Sequence, residues 1–280
     1  TIASELTGNS RLVKDDLGTL ILTGANSYTG GTIIANGTLQ IGNGGTVGAI
    51  VGNVADNGVL VFNRSNALVF SGRLSGSGSI RQIGSGRTEL TGNSSGFAGV
   101  TTVENGILAV NGQLGGRLDV RTTGRLEGIG TVGATNVSGT IAPGNSIGTL
   151  NVAGNVVFNP GSIYQVEVDA AGQADKISAT GAATINGGKV EVLAGMGDYA
   201  PATTYTILTA SGGRTGTFTE GVTSNLAFLT PSLSYDANNV FLTMTRNTFA
   251  IDNAGMTPNQ KAAGSGVESL GFGNTVYNSV

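Results

Sequence analysis

GSIYQVEVDAAGQADKISATGAATINGGKVEVLAGMGDYAPATTYTILTASGGRTGTFTEGVTSNLAFLTPSLSYDANNVFLTMTRN, Gly161 to Asn247, is the stretch that decides the fold. Apolar and polar residues alternate through Ile163, Gln165, Val166, Glu167 and Val168, and again through Val190, Glu191 and Val192. A period of two is the mark of half-buried strands. The stretch is rich in aromatics, with Tyr164, Tyr199, Tyr205, Phe218, Phe228, Tyr235 and Phe241. It reads as the densely packed, folding-competent end of an elongated β structure on which everything upstream stacks.

Upstream the chain repeats itself. LVKDDLGTLILTGANSYTGGTIIANGTLQIGNGG (Leu12 to Gly45) is echoed by IRQIGSGRTELTGNSSGFAGVTTVENGILAVNGQLGG (Ile80 to Gly116). Gly24 aligns with Gly92 and, after one inserted residue, Tyr28 with Phe97 and Asn36-Gly37 with Asn105-Gly106. Inside these units a shorter beat sets a Gly before a brief alternating run, as at Gly37, Gly58 and Gly78. Recurrence every ~20–50 residues points to a solenoid or array. Asn-Gly before a strand also fits a two-residue hairpin, so an antiparallel sandwich is the structural rival. Very short strands and little helical sequence favour a parallel β-helix of three strands per turn. Leu, Ile and Val would then stack on their counterparts ~4.8 Å away in the next rung, with Gly and Asn bending the corners.

Composition sets the outer limits. The 280 residues include 48 Gly, a 39% hydrophobic share and 11% charged residues, so a core can form. A net charge of −3 offers no basic footprint for nucleic acid. No apolar run reaches the ~18 residues of a membrane helix. The sequence has no Cys, which suits passage through an oxidising periplasm, and no His, which removes the commonest general base and metal ligand. No signal peptide stands at Thr1, and the chain reads as an interior piece of something longer.

Motifs that could carry chemistry lack their partners. Gly144-Asn-Ser146-Ile-Gly148 and Gly92-Asn-Ser94-Ser-Gly96 match the nucleophile elbow, which needs a His and a following helix. Gly128-Ile-Gly130-Thr-Val-Gly133 matches the dinucleotide fingerprint, but strand-like sequence continues where a helix should start. Carboxylates such as Asp56, Glu89, Glu127, Glu167 and Asp175 read as corner residues in solvent. The neighbours Asp15 and Asp16 point to opposite faces of any strand. Sequons at Asn36, Asn63, Asn93 and Asn136 follow from an Asn/Ser/Thr-rich composition. Tyr28 and Phe97 could line up as an exposed aromatic row, against the plainer reading as core or corner aromatics. The expectation is therefore no catalytic residue, no cofactor and no metal.

From Phe249 the texture changes. Thr257-Pro258 is a fair N-cap and first helical residue, and Lys261 to Leu270 fits a short helix weakened by Gly264 and Gly266. The predicted organisation is a β-helix stalk over 1–160, a C-terminal β-helical unit over 161–247 and a linker over 248–280.

GTLILTGANSYTGGTIIANGTLQIG (Gly18 to Gly42) resembles the autotransporter-associated β-strand repeat, and Arg87 to Gly112 resembles a more degenerate copy. TYTILTASGGRTGTF (Thr204 to Phe218) and YDANNVFLTMTRN (Tyr235 to Asn247) are similar to the C-terminal, autochaperone part of type V passengers, and TPNQKAAGSGVESL to the segment before the translocator. The resemblance implies a right-handed parallel β-helix exported through the periplasm and an outer-membrane barrel to the bacterial surface. That barrel would be a partner outside these residues. It also implies a non-catalytic stalk and folding seed that supports adhesion, binding a host-cell protein or glycan or its own kind. The alternative is the stalk of a secreted serine protease or esterase whose catalytic part lies upstream.

Overall fold

The computed structural model describes residues 1–247, 257–271 and 273–278. Short strands stack into three parallel ladders, one per face of a solenoid. The first face holds Leu12–Lys14, Thr32–Ile34, Val54–Asp56 and Leu74–Ser75. It resumes with Asn93–Ser94, Gln113–Leu114, 131–133, 149–152, Lys176–Ala179 and the end of Ala202–Ala210. The second face runs from Thr19–Leu22 through Thr38–Ile41, Val59–Phe62 and Ser79–Gln82 to Ala183–Ile185 and Arg214–Gly216. The third runs from Leu68–Phe70 through Arg87–Leu90 and Ile163–Val168 to Val222–Ser224.

Alternation along each strand sends one set of side chains inward, and parallel register lays like on like. On the second face Leu22, Ile41, Phe62, Gln82, Val103 and Val120 form one column, continued by Val137, Phe158 and Ile185. All are nearly or fully buried. Gln82 interrupts the apolar column without leaving polar atoms stranded. It donates to the Gly84 carbonyl at 2.8 Å and accepts from Thr88 Oγ1 at 2.7 Å. The buried apolar residues from Leu22 to Met244 make one continuous cluster.

Glycine makes the corner before the second face. A Cβ built on Gly78, Gly99, Gly116 or Gly133 would lie 2.5, 1.8, 2.1 or 1.6 Å from the carbonyl oxygen of Gly58, Gly78, Gly99 or Gly116 respectively. Here backbone rests directly on backbone, rung upon rung. Gly99 keeps an ordinary φ, so that position demands glycine for space and not for conformation.

The C-terminal end departs from parallel stacking. Ala202–Ala210 pairs antiparallel with Asn239–Arg246, which pairs antiparallel with Leu229–Tyr235. The turn between the last two is built by Asp236, whose Oδ1 accepts from the Asn238 and Asn239 amides at 2.8 and 2.6 Å. Pro231 sits on the outer strand, where a missing N–H blunts further pairing. Beneath this cap Phe158, Tyr164 and Phe218 form an aromatic cluster, with Phe158–Phe218 edge-to-face at 5.0 Å. Tyr164 is fully buried and its hydroxyl donates to the Ile207 carbonyl. Tyr205 donates to the Asp169 carbonyl at 2.7 Å.

The two sequence repeats do not sit on the same faces. Thr19–Leu22 lies on the second face, while its counterpart Arg87–Leu90 lies on the third. Thr32–Ile34 lies on the first face and its counterpart at 101–103 on the second. The copies are three turns and one face apart.

At the C-terminal side, Pro258–Leu270 is a helix with a capping box. Thr257 accepts from Gln260 N, and the Gln260 side chain accepts from Thr257 N at 2.9 Å. It starts at Pro258, the first helical residue that the Thr257-Pro258 pair predicts, and runs to Leu270 despite Gly264 and Gly266. Residues 248–256 of the expected linker lie outside the described residues.

Candidate functional surface

The two serine motifs occupy different settings. Ser94 is buried, and its Oγ accepts from the Leu74 amide at 2.8 Å. It splices the two stretches of the first face where the strand pairing lapses. Ser146 is exposed in the loop that follows Thr140–Pro143. Neither serine is followed by a helix, and the sequence contains no His to take a proton. Gly128 ends one strand and is bridged to Gly144, and Thr131–Val137 follows as another strand. That stretch presents no helix N-terminus to a phosphate.

The loop at 144–148 folds back over the third face and joins a polar network. Arg87 pairs with Glu89 and reaches Glu127 at 3.4 Å. Arg125 binds Glu127 at 2.5 Å and Gln165 at 2.6 Å. Asn111 donates to Glu89 at 2.8 Å, and Asn145 donates from the loop to Asn111 at 3.0 Å. The Arg87 and Asn111 hydrogen bonds hold the Glu89 carboxyl below its usual range. Nearly every polar group in this network is spent on another, so it clamps rungs together.

Under the loop a notch of about 110 Å³ is lined by Arg125, Glu127, Ser146, Gln165, Glu167 and Asp175. Asp175 is 2% exposed. Its carboxylate accepts from the Gly148 and Glu167 amides, each at 2.8 Å. Burial pushes it up to about 7, and the Glu167 charge adds to the rise. A carboxyl of this kind can hold or release a proton near neutrality, but the notch brings no activated nucleophile beside it. By sequence Asp175 belongs among corner residues in solvent. The structure buries it, because the loop 169–175 returns it beneath 144–148, which no local pattern announces. Asp56 departs in the same way, being fully buried.

Tyr28 and Phe97 are both buried and present no row to solvent. The one-face offset between the repeats also places them at different corners, Tyr28 just before the first face and Phe97 just before the second. Among the described residues, no group of three or more acidic, His or Cys side chains is arranged to hold a metal ion, and no helix is long and apolar enough to cross a membrane.

Residues 12–41 and 80–110 match the passenger-associated-transport-repeat family. The chain is 36% identical over 236 residues to an extracellular serine protease of Serratia marcescens, covering 79% of this chain and 22% of that protein. It is 39% identical over 185 residues to the adhesin BmaC autotransporter of Brucella suis biovar 1 (strain 1330), covering 58% of this chain and 5% of that protein. It is 26% identical over 265 residues to the autotransporter adhesin/invasin TibA of Escherichia coli O78:H11 (strain H10407 / ETEC), covering 87% of this chain and 24% of that protein. The chain thus spans a quarter or less of the length of these relatives. Two transport repeats, a parallel three-faced solenoid and similarity to extracellular and adhesive proteins identify the chain as a surface-exposed or secreted segment of an autotransporter passenger domain.

Proposed function

We propose that this segment is a rigid, non-catalytic stalk that seeds folding from its C-terminal end and supports adhesion at the bacterial surface. The observation that carries the proposal is the asymmetry of the solenoid. Residues 161–247 bring Tyr164 and Phe218 onto Phe158 just upstream and end in an antiparallel cap. In a solenoid each rung contacts only its neighbours, so folding propagates from the most stable unit. Rings of this size bury 150–250 Å² each, at ~25 cal/mol per Å². A stable capped end exposes one parallel edge, on which upstream rungs add as they emerge. The partner through which they would emerge is an outer-membrane barrel of the same protein.

Similarity to adhesins supports a host-cell protein, a host glycan or a second copy as the adhesive partner. A second reading, the stalk of a secreted serine protease, draws on the similarity to the Serratia marcescens protease. Binding of the labelled 280-residue chain to host cells separates the two. Saturable binding supports the adhesive reading. Absence of binding, with hydrolysis by the longer protein that contains this segment, favours the protease stalk. For the seed, refolding followed by pulsed hydrogen exchange should protect 163–246 before 19–41. Simultaneous or reversed protection refutes it.

A further inference from the structure

The outward rows of the solenoid differ in how their polar groups are used. On the third face Arg87, Glu89, Asn111, Arg125, Glu127 and Asn145 are bound to one another. The first face is different. Its central outward row reads Asn93, Gln113, Thr131, Asn151, Ser178 and Thr209, one residue per rung in unbroken parallel register. No member carries a charge. Gln113, Thr131, Asn151 and Ser178, on four successive rungs, make no side-chain hydrogen bond among the described residues. Gln113 and Asn151 are exposed, and Thr131 and Ser178 half-buried. Beside the row runs a trough of about 310 Å³ lined by Ser95, Gln113, Gly115, Thr131, Gly133 and Ala153. Gly115, Gly116 and Gly133 line it with backbone alone, and Ala153 adds only a methyl group.

We propose that this row and trough bind an uncharged, extended polysaccharide lying along the solenoid axis. The proposal rests on the adhesive reading above and names its surface and ligand class. Sugar hydroxyls both donate and accept, as do the hydroxyls and amides of the row. One binding group recurs every ~4.8 Å, close to the length of one sugar residue in an extended β-linked chain. A volume near 300 Å³ is the lower range for ligand sites. A row without charge offers nothing to a polyanion or polycation, so the contact should be insensitive to salt. A peptide would also present donors and acceptors, but Leu114 and Val132 of the lining are buried, so its apolar side chains would meet only glycine backbone and the Ala153 methyl.

The test uses the full 280-residue chain and the double variant Gln113→Ala/Asn151→Ala. Both side chains are exposed and without partners, so the variant should keep the parent's urea midpoint. Probes are soluble β-1,4-linked oligomers of glucose and of N-acetylglucosamine, with a polyuronate as the charged control. The parent should bind at least one neutral oligomer with little change between low and high salt. The variant should bind about tenfold more weakly, from two lost hydrogen bonds, while Asn145→Ala on the third face binds as the parent does. Failure to bind either neutral oligomer, tighter binding of the polyuronate or an unchanged variant overturns the proposal. Concentration-dependent dimerisation of the parent that the variant loses also overturns it, because the row would then be a contact between copies. Host-cell binding separates this proposal from the one beneath it. If the variant still binds cells like the parent, adhesion stands and the assignment of the row fails.

Discussion

In the first repeat the Tyr28 hydroxyl and Thr32 Oγ1 share a hydrogen bond of 2.7 Å. The corresponding pair in the second repeat is Phe97 and Thr101, and there Thr101 Oγ1 is buried without a partner. One missing oxygen leaves a hydroxyl unsatisfied. Restoring it by Phe97→Tyr should raise stability by about 1 kcal/mol, read as a higher urea midpoint, and a lower midpoint would show that the ring has no room for the oxygen. The alignment made the Tyr-to-Phe exchange visible in the sequence, but not the burial of Thr101, which depends on the rungs above and below. Two aspartates give a second prediction. Burial raises Asp56 to about 6 and Asp175 to about 7, and Asp56 Oδ2 is buried with no partner. Both therefore bind protons more tightly in the folded chain than in the unfolded one. Stability should increase as pH falls from about 8 towards about 5, where the unfolded carboxyls are still ionised. Glu89 and Glu104, held low by hydrogen bonds to Arg87 and Arg81, act in the opposite sense below about pH 4. Urea midpoints at pH 5 and 8 test the rise, and Asp175→Asn should flatten it.

Among the elements, the parallel strands were the legible part. Gly58-Val-Leu-Val-Phe62 and Gly37-Thr-Leu-Gln-Ile41 are strands in register, as their Gly-led alternation predicts. The antiparallel hairpin of Leu229–Tyr235 and Asn239–Arg246 was not legible as such. Its strands alternate like the others, and pairing direction is not written in a period of two. The Asp236 turn and Pro231 are the residues that mark it in hindsight. No helix follows either serine motif or Gly128–Gly133 in the structure. At this scale the aromatic cluster under the cap carries the prediction. Phe218→Ala removes the ring packed edge-to-face on Phe158 and should cost about 3–5 kcal/mol. It should also slow refolding if the cluster forms in the transition state. A variant that only unfolds faster would show that the cluster packs late.

For the whole molecule, a one-dimensional stack makes the consequence of damage depend on position. Leu39→Ala, in the second face near the N-terminal side, should speed amide exchange in adjacent rungs and leave 163–246 protected. Phe218→Ala should loosen the protection of rungs far upstream as well, and equal, local effects of both would mean that the rungs do not propagate stability from one end. The offset between the two transport repeats bears on how such a molecule can change length. A duplicated unit that lands one face round the axis behaves like a tread on a spiral stair, turned from the tread below. Successive duplications scatter any outward feature of the unit around the circumference, while features that return once per turn stay in file. Selection for a straight stripe on the outside of a lengthening molecule must then act on the number of residues per turn, and the inherited unit is free to drift in what it displays.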